Sequence, residues 1–404
     1  MDQGVISGVN FLSGILLARF LGIVEFGIFT IAWLVIEFLQ SMQHSLIVAP
    51  MMSIAPKYSA EERPAYMGAV IVHQVCFSVL AFIVLVLGML AISFFVPDWE
   101  FLNLLWPLAI AVIICPIQNF ARRYLFVVER PAAAFFVDVT RYGGQFAVLV
   151  ALFLTVKIDA GHTLWVIAGC SAVAAVLSLR FLGDIAWSRA VLRNSLRRQW
   201  DFSKWLLFSE IMRWATGNLF VIASGAMIGA AAVGAIRAAQ NLVGICHILS
   251  QGLENIVPIS AARKFGQGGR DLLVNYLKRF TALGGIAVGS IVIVAAAVPE
   301  FWLGLIYGRD YEGYGYVVQW WAVIYFISFL TLTPIFGLRA MEQTKSLFWA
   351  HSAGAVVSVT LLYPLISTFG VVGVMMGNLS IICTRLAILS VTFFRVLRGQ
   401  KEAA

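Results

Sequence analysis

Four acids and four arginines stand inside long apolar stretches of this sequence: Glu37, Asp138, Glu210 and Glu254 against Arg141, Arg213, Arg237 and Arg385. On membrane-insertion scales each costs about 2.5–3.5 kcal/mol at mid-bilayer, so each must be paired or line water. An arginine so placed can hold a phosphate bidentately; a carboxylate can accept a coupling cation. Glu37, Gln40, Ser41 and His44 recur at i, i+3, i+4 and i+7 and share one helical face, which cannot look at lipid. Arg237, Gln240, Asn241, His247, Gln251, Glu254 and Asn255 form a longer stripe of the same kind. Two such stripes predict a hydrophilic cavity, with plain interhelical hydrogen bonding as the simpler alternative.

Candidate cavity residues for a substrate are therefore Arg213, Arg237, Gln240, Asn241, Gln251, Gln40, His44 and Arg385. Candidates for ion coupling are Glu37, Glu210, Glu254 and Asp138. Two pairs, Asp138 with Arg141 and Glu210 with Arg213, are spaced i, i+3 and can neutralise each other locally. Arg385 has no acid three or four residues away and needs a partner from another helix. The five cysteines show no CxxC spacing and read as small buried hydrophobes, so no metal or cofactor is expected. There is no GxxxxGK[ST] loop and no HExxH, GxSxG or DxD spacing, which argues against ATP hydrolysis and against an enzyme.

The elements that hold these residues follow from composition. Hydrophobic residues make up 61% of 404 positions and charged residues 12%; the mean hydropathy is +0.91. A soluble protein of that make-up would be coated in apolar surface. A spanning helix needs roughly 20 apolar residues, and twelve stretches of that order run at about 4–22, 28–56, 66–96, 102–119, 132–156, 163–183, 204–229, 232–262, 280–306, 315–338, 346–368 and 371–394. The alternation a barrel requires is absent, which leaves helices. The fold class is thus an all-α polytopic membrane protein. No basic n-region or small-residue cleavage site precedes the first stretch, so no signal peptide is expected, and a start site placed too late is an open alternative.

Alternate loops hold very different charge. One set carries 21 Lys and Arg, the other only Arg19, Lys157 and Arg309. Basic loops stay on the cytoplasmic side, so both termini are expected inside, and the net charge of +8 is a matter of topology rather than of nucleic-acid binding. A basic segment at 184–203 divides the spans six and six, giving an N-terminal bundle at 1–183 and a C-terminal bundle at 204–404. Its Arg189, Arg193 and Arg197 sit four apart, with Trp187, Val191, Leu192, Leu196 and Trp200 largely elsewhere on the wheel; it reads as an interfacial helix or as a solvated tether. A shift of 207 residues lays Gly22 on Gly229, Gly27 on Gly234, Lys57 on Lys264, Gln40 on His247 and His44 on Gln251. Six spans is an even number, so the implied repeat is parallel, with a central cavity between two six-helix bundles.

The run Asn10-Phe11-Leu12 through Leu16-Leu17-Ala18-Arg19-Phe20-Leu21-Gly22, then Glu25-Phe26-Gly27, resembles the opening of polysaccharide-export (Wzx-type) flippases, of the superfamily that also holds multidrug extruders and lipid II flippases. The resemblance implies movement of an undecaprenyl-diphosphate-linked oligosaccharide between leaflets of the bacterial inner membrane. It implies membrane lipids and polysaccharide polymerase or export proteins as further partners, and cavity arginines for the diphosphate, best matched by Arg213 and Arg237. Arg19 fits the opening motif and joins the substrate-binding candidates, although a snorkelling anchor is its simpler reading. A cation-coupled drug extruder would want a net acidic cavity, and a membrane-embedded glycosyltransferase or polymerase a carboxylate base with a sizeable extramembrane loop; both are held as alternatives.

Overall fold

The computed structural model describes residues 2–95, 100–343 and 345–402, and of residues 2–7, 10, 95, 100, 247, 248, 255 and 399–402 the backbone only. The described residues form helices joined by short turns, with no strand among them. In order the helices are α1 (Asp2–Gln43), α2 (Ala49–Ile54), α3 (Arg63–Phe95), α4 (Leu105–Val127), α5 (Pro131–Asp138), α6 (Gly144–Thr155), α7 (Ala160–Ser178), α8 (Arg189–Met227), α9 (Ala230–Val243), α10 (Ile245–Ala297), α11 (Pro299–Ile306), α12 (Gly315–Ala340) and α13 (Lys345–Glu402). Among the described residues, eight helical segments are long and apolar enough to cross a membrane. Three of them turn sharply at glycines in left-handed backbone, at Gly22 (φ 76°), Gly269 (φ 60°) and Gly370 (φ 56°), and so make two rods each. With α8 as one more, the described chain is a polytopic all-α protein of twelve rods.

Several boundaries differ from expectation. The stretch expected at 102–119 continues as α4 to Val127, which takes Arg122 and Arg123 out of a loop and into a helix. The stretch expected at 280–306 is divided, because Pro299 has no N–H to continue α10 and starts α11 instead. The basic segment at 184–203 is no separate linker in secondary structure: α8 runs unbroken from Arg189 through it. Compact packing groups the chain as residues up to Leu21 with Ile28–Trp214, and Gly22–Gly27 with Ala215–Ala404.

In the first group, Ile47, Val48, Met51 and Ile54 pack with Tyr66, Met67 and Val70 of α3 and with Phe120 and Tyr124 of α4. α3 is otherwise apolar and outward: Leu80, Val84 and Leu87 are 60–62% exposed, as suits a lipid-facing helix. Pro50 bends the path of α1 into α2 through a π turn at His44–Val48. The missing Pro50 N–H cannot reach the Leu46 carbonyl, and Ser203 Oγ donates to it from α8 (3.4 Å). The first half of α8 turns Ser195, Gln199 and Ser203 inward; Gln199 Nε2 donates to the Tyr66 hydroxyl (3.4 Å), and its Oε1 meets His73 Nδ1 (2.8 Å). Arg189, Arg193, Leu196, Arg197 and Trp200 are all exposed. Trp200, three turns beyond Arg189, shares the arginine face rather than opposing it.

In the second group the segments after Gly22 and after Gly229 cross with their backbones in contact. A Cβ on Gly27 would collide with the Ala230 carbonyl, and one on Gly234 with the Ile23 carbonyl. Gly27 and Gly234, and likewise Ile23 and Ala230, are related by the same 207 residues as the sequence repeat, so this crossing has local twofold symmetry. Gly22 and Gly229 enter it with matching backbone (φ 76°, ψ 170° and φ 122°, ψ 172°). Elsewhere Phe280 of α10 packs on Phe329 and Phe336 of α12 (5.5 and 5.6 Å between ring centroids). Glu300 of α11 fixes the turn before α12 by accepting from Gly313 N (3.0 Å) and Gly315 N (2.8 Å).

Candidate functional site

On α1 and the π turn that follows it, Glu37, Gln40, Ser41 and His44 are all half-buried. Trp33 Nε1 donates to Glu37 Oε1 (2.9 Å). Gln40 Nε2 is enclosed with no hydrogen-bond partner among the described residues. The ring of Phe38 packs on Trp214 at 4.6 Å, which draws the Glu210–Arg213 turn of α8 beside these residues. The charges of Arg123, Glu210 and Arg213 all act on His44. Arg213 donates through Nε (2.9 Å) and also Nη2 to Glu210 Oε2, confirming the expected i, i+3 pair. The Arg213 side chain is 63% exposed and that of Glu210 21%. Glu210 therefore grips one edge of Arg213 and, among the described residues, leaves Nη1 available to an anion's oxygens.

A second cluster lies on α9 and α12. Arg237 Nη1 donates to Gln240 Oε1 (3.0 Å); the Tyr325 hydroxyl is hydrogen-bonded to Gln240 and lies in the field of Arg237. Trp321 Nε1 donates to the Ile236 carbonyl (3.1 Å), which pins α9 to α12 beneath the cluster. Asn241 is half-buried beside it, and Gln251 and Glu254 are exposed on the first turns of α10. His247 and Asn255, which complete the predicted stripe, lie outside the described side chains. Arg19 is exposed on α1. Arg385 is half-buried with its Cγ and Cδ against Gly354. Its Nε is enclosed, and the acid expected from another helix is not found among the described residues.

Asp138 is the main departure. Its i, i+3 spacing allows it to neutralise Arg141 on its own helix, but its ion-pair partner is Arg122 of α4. Between Asp138 and Arg141 the chain passes through a π turn, Val139–Gly143, whose i→i+5 bonding rotates Arg141 away. Arg141 instead donates to Gln118 Oε1 (2.5 Å) and to the Tyr142 hydroxyl (3.0 Å), with its guanidinium 4.7 Å over the Tyr142 ring. Asp138 is 1% and Arg141 4% exposed, so both side chains are enclosed within this group of helices. The neighbouring Gln43 donates to Gln74 Oε1 and to the Pro116 carbonyl (2.7 Å each), and Gln74 donates to Ser78 (3.0 Å). These glutamines carry no charge, so ionisable residues alone do not mark them in the sequence. The usable signals were the i, i+4 spacings Gln74–Ser78 and Gln118–Arg122 inside apolar runs.

The fold is shared with known transporters. An inward-facing multidrug-resistance transporter of the MATE family in the MOP superfamily aligns with a TM-score of 0.75 at 13% identity, over 98% of this chain and 94% of that one. The lipid II flippase MurJ in an inward closed conformation aligns at 0.70 and 12% identity, over 97% and 86%. A MOP-superfamily transporter from Pyrococcus furiosus, with a binding pocket of reversed polarity, aligns at 0.61 and 11% identity, over 100% and 93%. No curated protein matches by sequence. The family described as polysaccharide biosynthesis protein matches residues 1–258. The long apolar helices and the two arginine-centred polar clusters accord with this match over more than half the chain: the protein belongs to the polysaccharide biosynthesis protein family, and its fold is that of the MATE and MurJ transporters it resembles.

Proposed function

We propose that this transporter moves an undecaprenyl-diphosphate-linked oligosaccharide, such as an O-antigen, exopolysaccharide or capsule repeat unit, from the cytoplasmic to the periplasmic leaflet by alternating access. The observation that carries the reading is Arg213, an arginine on α8 that is held by Glu210 on one edge while its side chain is 63% exposed. A guanidinium oriented this way suits a diphosphate, whose oxygens accept paired N–H donors. Arg237, tethered to Gln240, offers a second cation of the same kind. The strong bias of Lys and Arg to one set of loops supports residence in the inner membrane with both termini cytoplasmic. One elementary charge crossing 100 mV releases about 2.3 kcal/mol, enough for a cotransported ion at Glu37, Glu210 or Glu254 to bias export.

The test is leaflet-resolved transport of lipid-diphosphate oligosaccharides in proteoliposomes, with and without an imposed gradient. Transport is expected, and its absence together with intact surface glycan in a deletion strain would overturn the reading. Export of a cationic dye that is lost in Glu37→Gln or Glu254→Gln would favour a cation-coupled drug extruder instead.

A further inference from the structure

The turn after α4 closes in a conformation that side chains rarely adopt. Glu129 has φ 59°, its N–H bonds the Phe126 carbonyl (3.2 Å), and the Arg130 N–H bonds the Leu125 carbonyl (2.8 Å). This left-handed position after a helix is normally held by glycine, because a Cβ is strained there. A glutamate kept in such a place points to something its carboxylate does.

Beside it lies a cleft of about 220 Å³ lined by Met52, Pro56, Arg63, Phe126, Val127 and Glu129. Arg63 opens α3 and Glu129 follows α4, so the cleft sits at the ends of spans, at the depth of lipid head groups. The two charges face one cleft without meeting: among the described residues neither is in an ion pair, and Arg63 Nε is enclosed with no hydrogen-bond partner. The rest of the wall is apolar, with Met52 39% exposed. A cation and an anion held apart, over an apolar strip, match a ligand with an anion, a cation and a hydrocarbon chain in that order.

We propose that this cleft binds a resident phospholipid whose head group carries both a phosphodiester and a primary ammonium. The phosphodiester accepts from Arg63, the ammonium donates to Glu129, and the first part of an acyl chain lies along Met52, Phe126 and Val127. A purely anionic head group leaves the Glu129 carboxylate facing a phosphate with nothing between them. A quaternary ammonium brings charge but no N–H to donate.

The experiment uses the purified full chain in detergent, titrated with short-chain phosphatidylethanolamine, phosphatidylglycerol, phosphatidylcholine or free phosphoethanolamine, and read by native mass spectrometry and thermal unfolding. Phosphatidylethanolamine is expected to bind at least about tenfold more tightly than the other two lipids, the worth of one charge-assisted hydrogen bond. Arg63→Gln and Glu129→Gln should each bring that preference down to about twofold or less. Glu129→Gly should abolish it while raising the unfolding temperature without lipid, since the turn is relaxed and the fold kept. Equal binding of the three lipids by the unaltered chain, or a preference that survives Glu129→Gln, overturns the proposal. Free phosphoethanolamine binding as tightly as the lipid overturns the assignment of a lipid. Binding is read directly, so the outcome is independent of which cargo is transported.

Discussion

Arg122 and Asp138 show how much one buried ion pair controls. Their side chains are 12% and 1% exposed, and Arg123 adds a second positive field at the carboxylate. Removing one member strands the other in a low-dielectric interior, which costs about 3–5 kcal/mol. Arg122→Ala should therefore destabilise the protein severely in thermal unfolding, while the double change Arg122→Met, Asp138→Leu should cost much less, because no charge is left alone. A milder case lies outside the spans, at the N-cap of α7. Burial alone would push the Asp159 carboxyl up, but the backbone and ring N–H groups of His162 and the Gly161 N–H outweigh it and hold the group below its ordinary value of 3.8. A lowered carboxyl stabilises the fold above the unfolded value and loses that contribution as pH falls through the folded one. Asp159→Asn, which keeps the cap, should flatten the acid limb of stability below about pH 3.8; Asp159→Ala should lose about 1 kcal/mol at neutral pH as well.

Among the elements, two contacts decide how the helices seat. The crossing at Gly27 and Gly234 leaves no room for a Cβ, and what stands in the way is backbone carbonyl, which cannot rotate aside. Gly27→Ala should thus cost about 1–3 kcal/mol, read as a lower unfolding temperature, even though alanine favours helix more than glycine does. The inward face of α8 is the other contact. Gln199→Ala leaves the Tyr66 hydroxyl and His73 without their bonds and should cost about 1–3 kcal/mol. Arg189→Gln, Arg193→Gln and Arg197→Gln on the exposed face should each stay within about 0.5 kcal/mol of the parent protein.

For the molecule as a transporter, the separation of structural from exposed arginines makes a prediction about transport per folded protein. Arg213→Ala and Arg237→Ala should cut flipping of lipid-linked oligosaccharide by about tenfold or more, the worth of one charge-assisted hydrogen bond to phosphate. Arg141→Ala should reduce the yield of folded protein, because Gln118 and Tyr142 lose their partner, but should leave transport per folded molecule near normal. Equal losses of specific transport in all three variants, measured in proteoliposomes loaded with matched amounts of folded protein, would sink the assignment of Arg213 and Arg237 to the cargo.

Helix number and class were legible in residue order, because a spanning backbone must be helix or closed barrel, the alternation a barrel needs is absent, and each span must be long enough to cross. The 207-residue repeat was legible too, through glycines whose spacing survives in the symmetric Gly27–Gly234 crossing. The Glu210–Arg213 pair was readable for the same reason, since it is local to one regular helix. What only the tertiary structure decided were the partners across helices and across irregular turns. The π turn at Val139–Gly143 sent Asp138 to Arg122 and Arg141 to Gln118. Glu129 came to share a cleft with Arg63, 66 residues earlier in the sequence. Periodicity states which face of a straight helix a residue occupies, and it carries no information about where a helix widens, ends late or meets its neighbour.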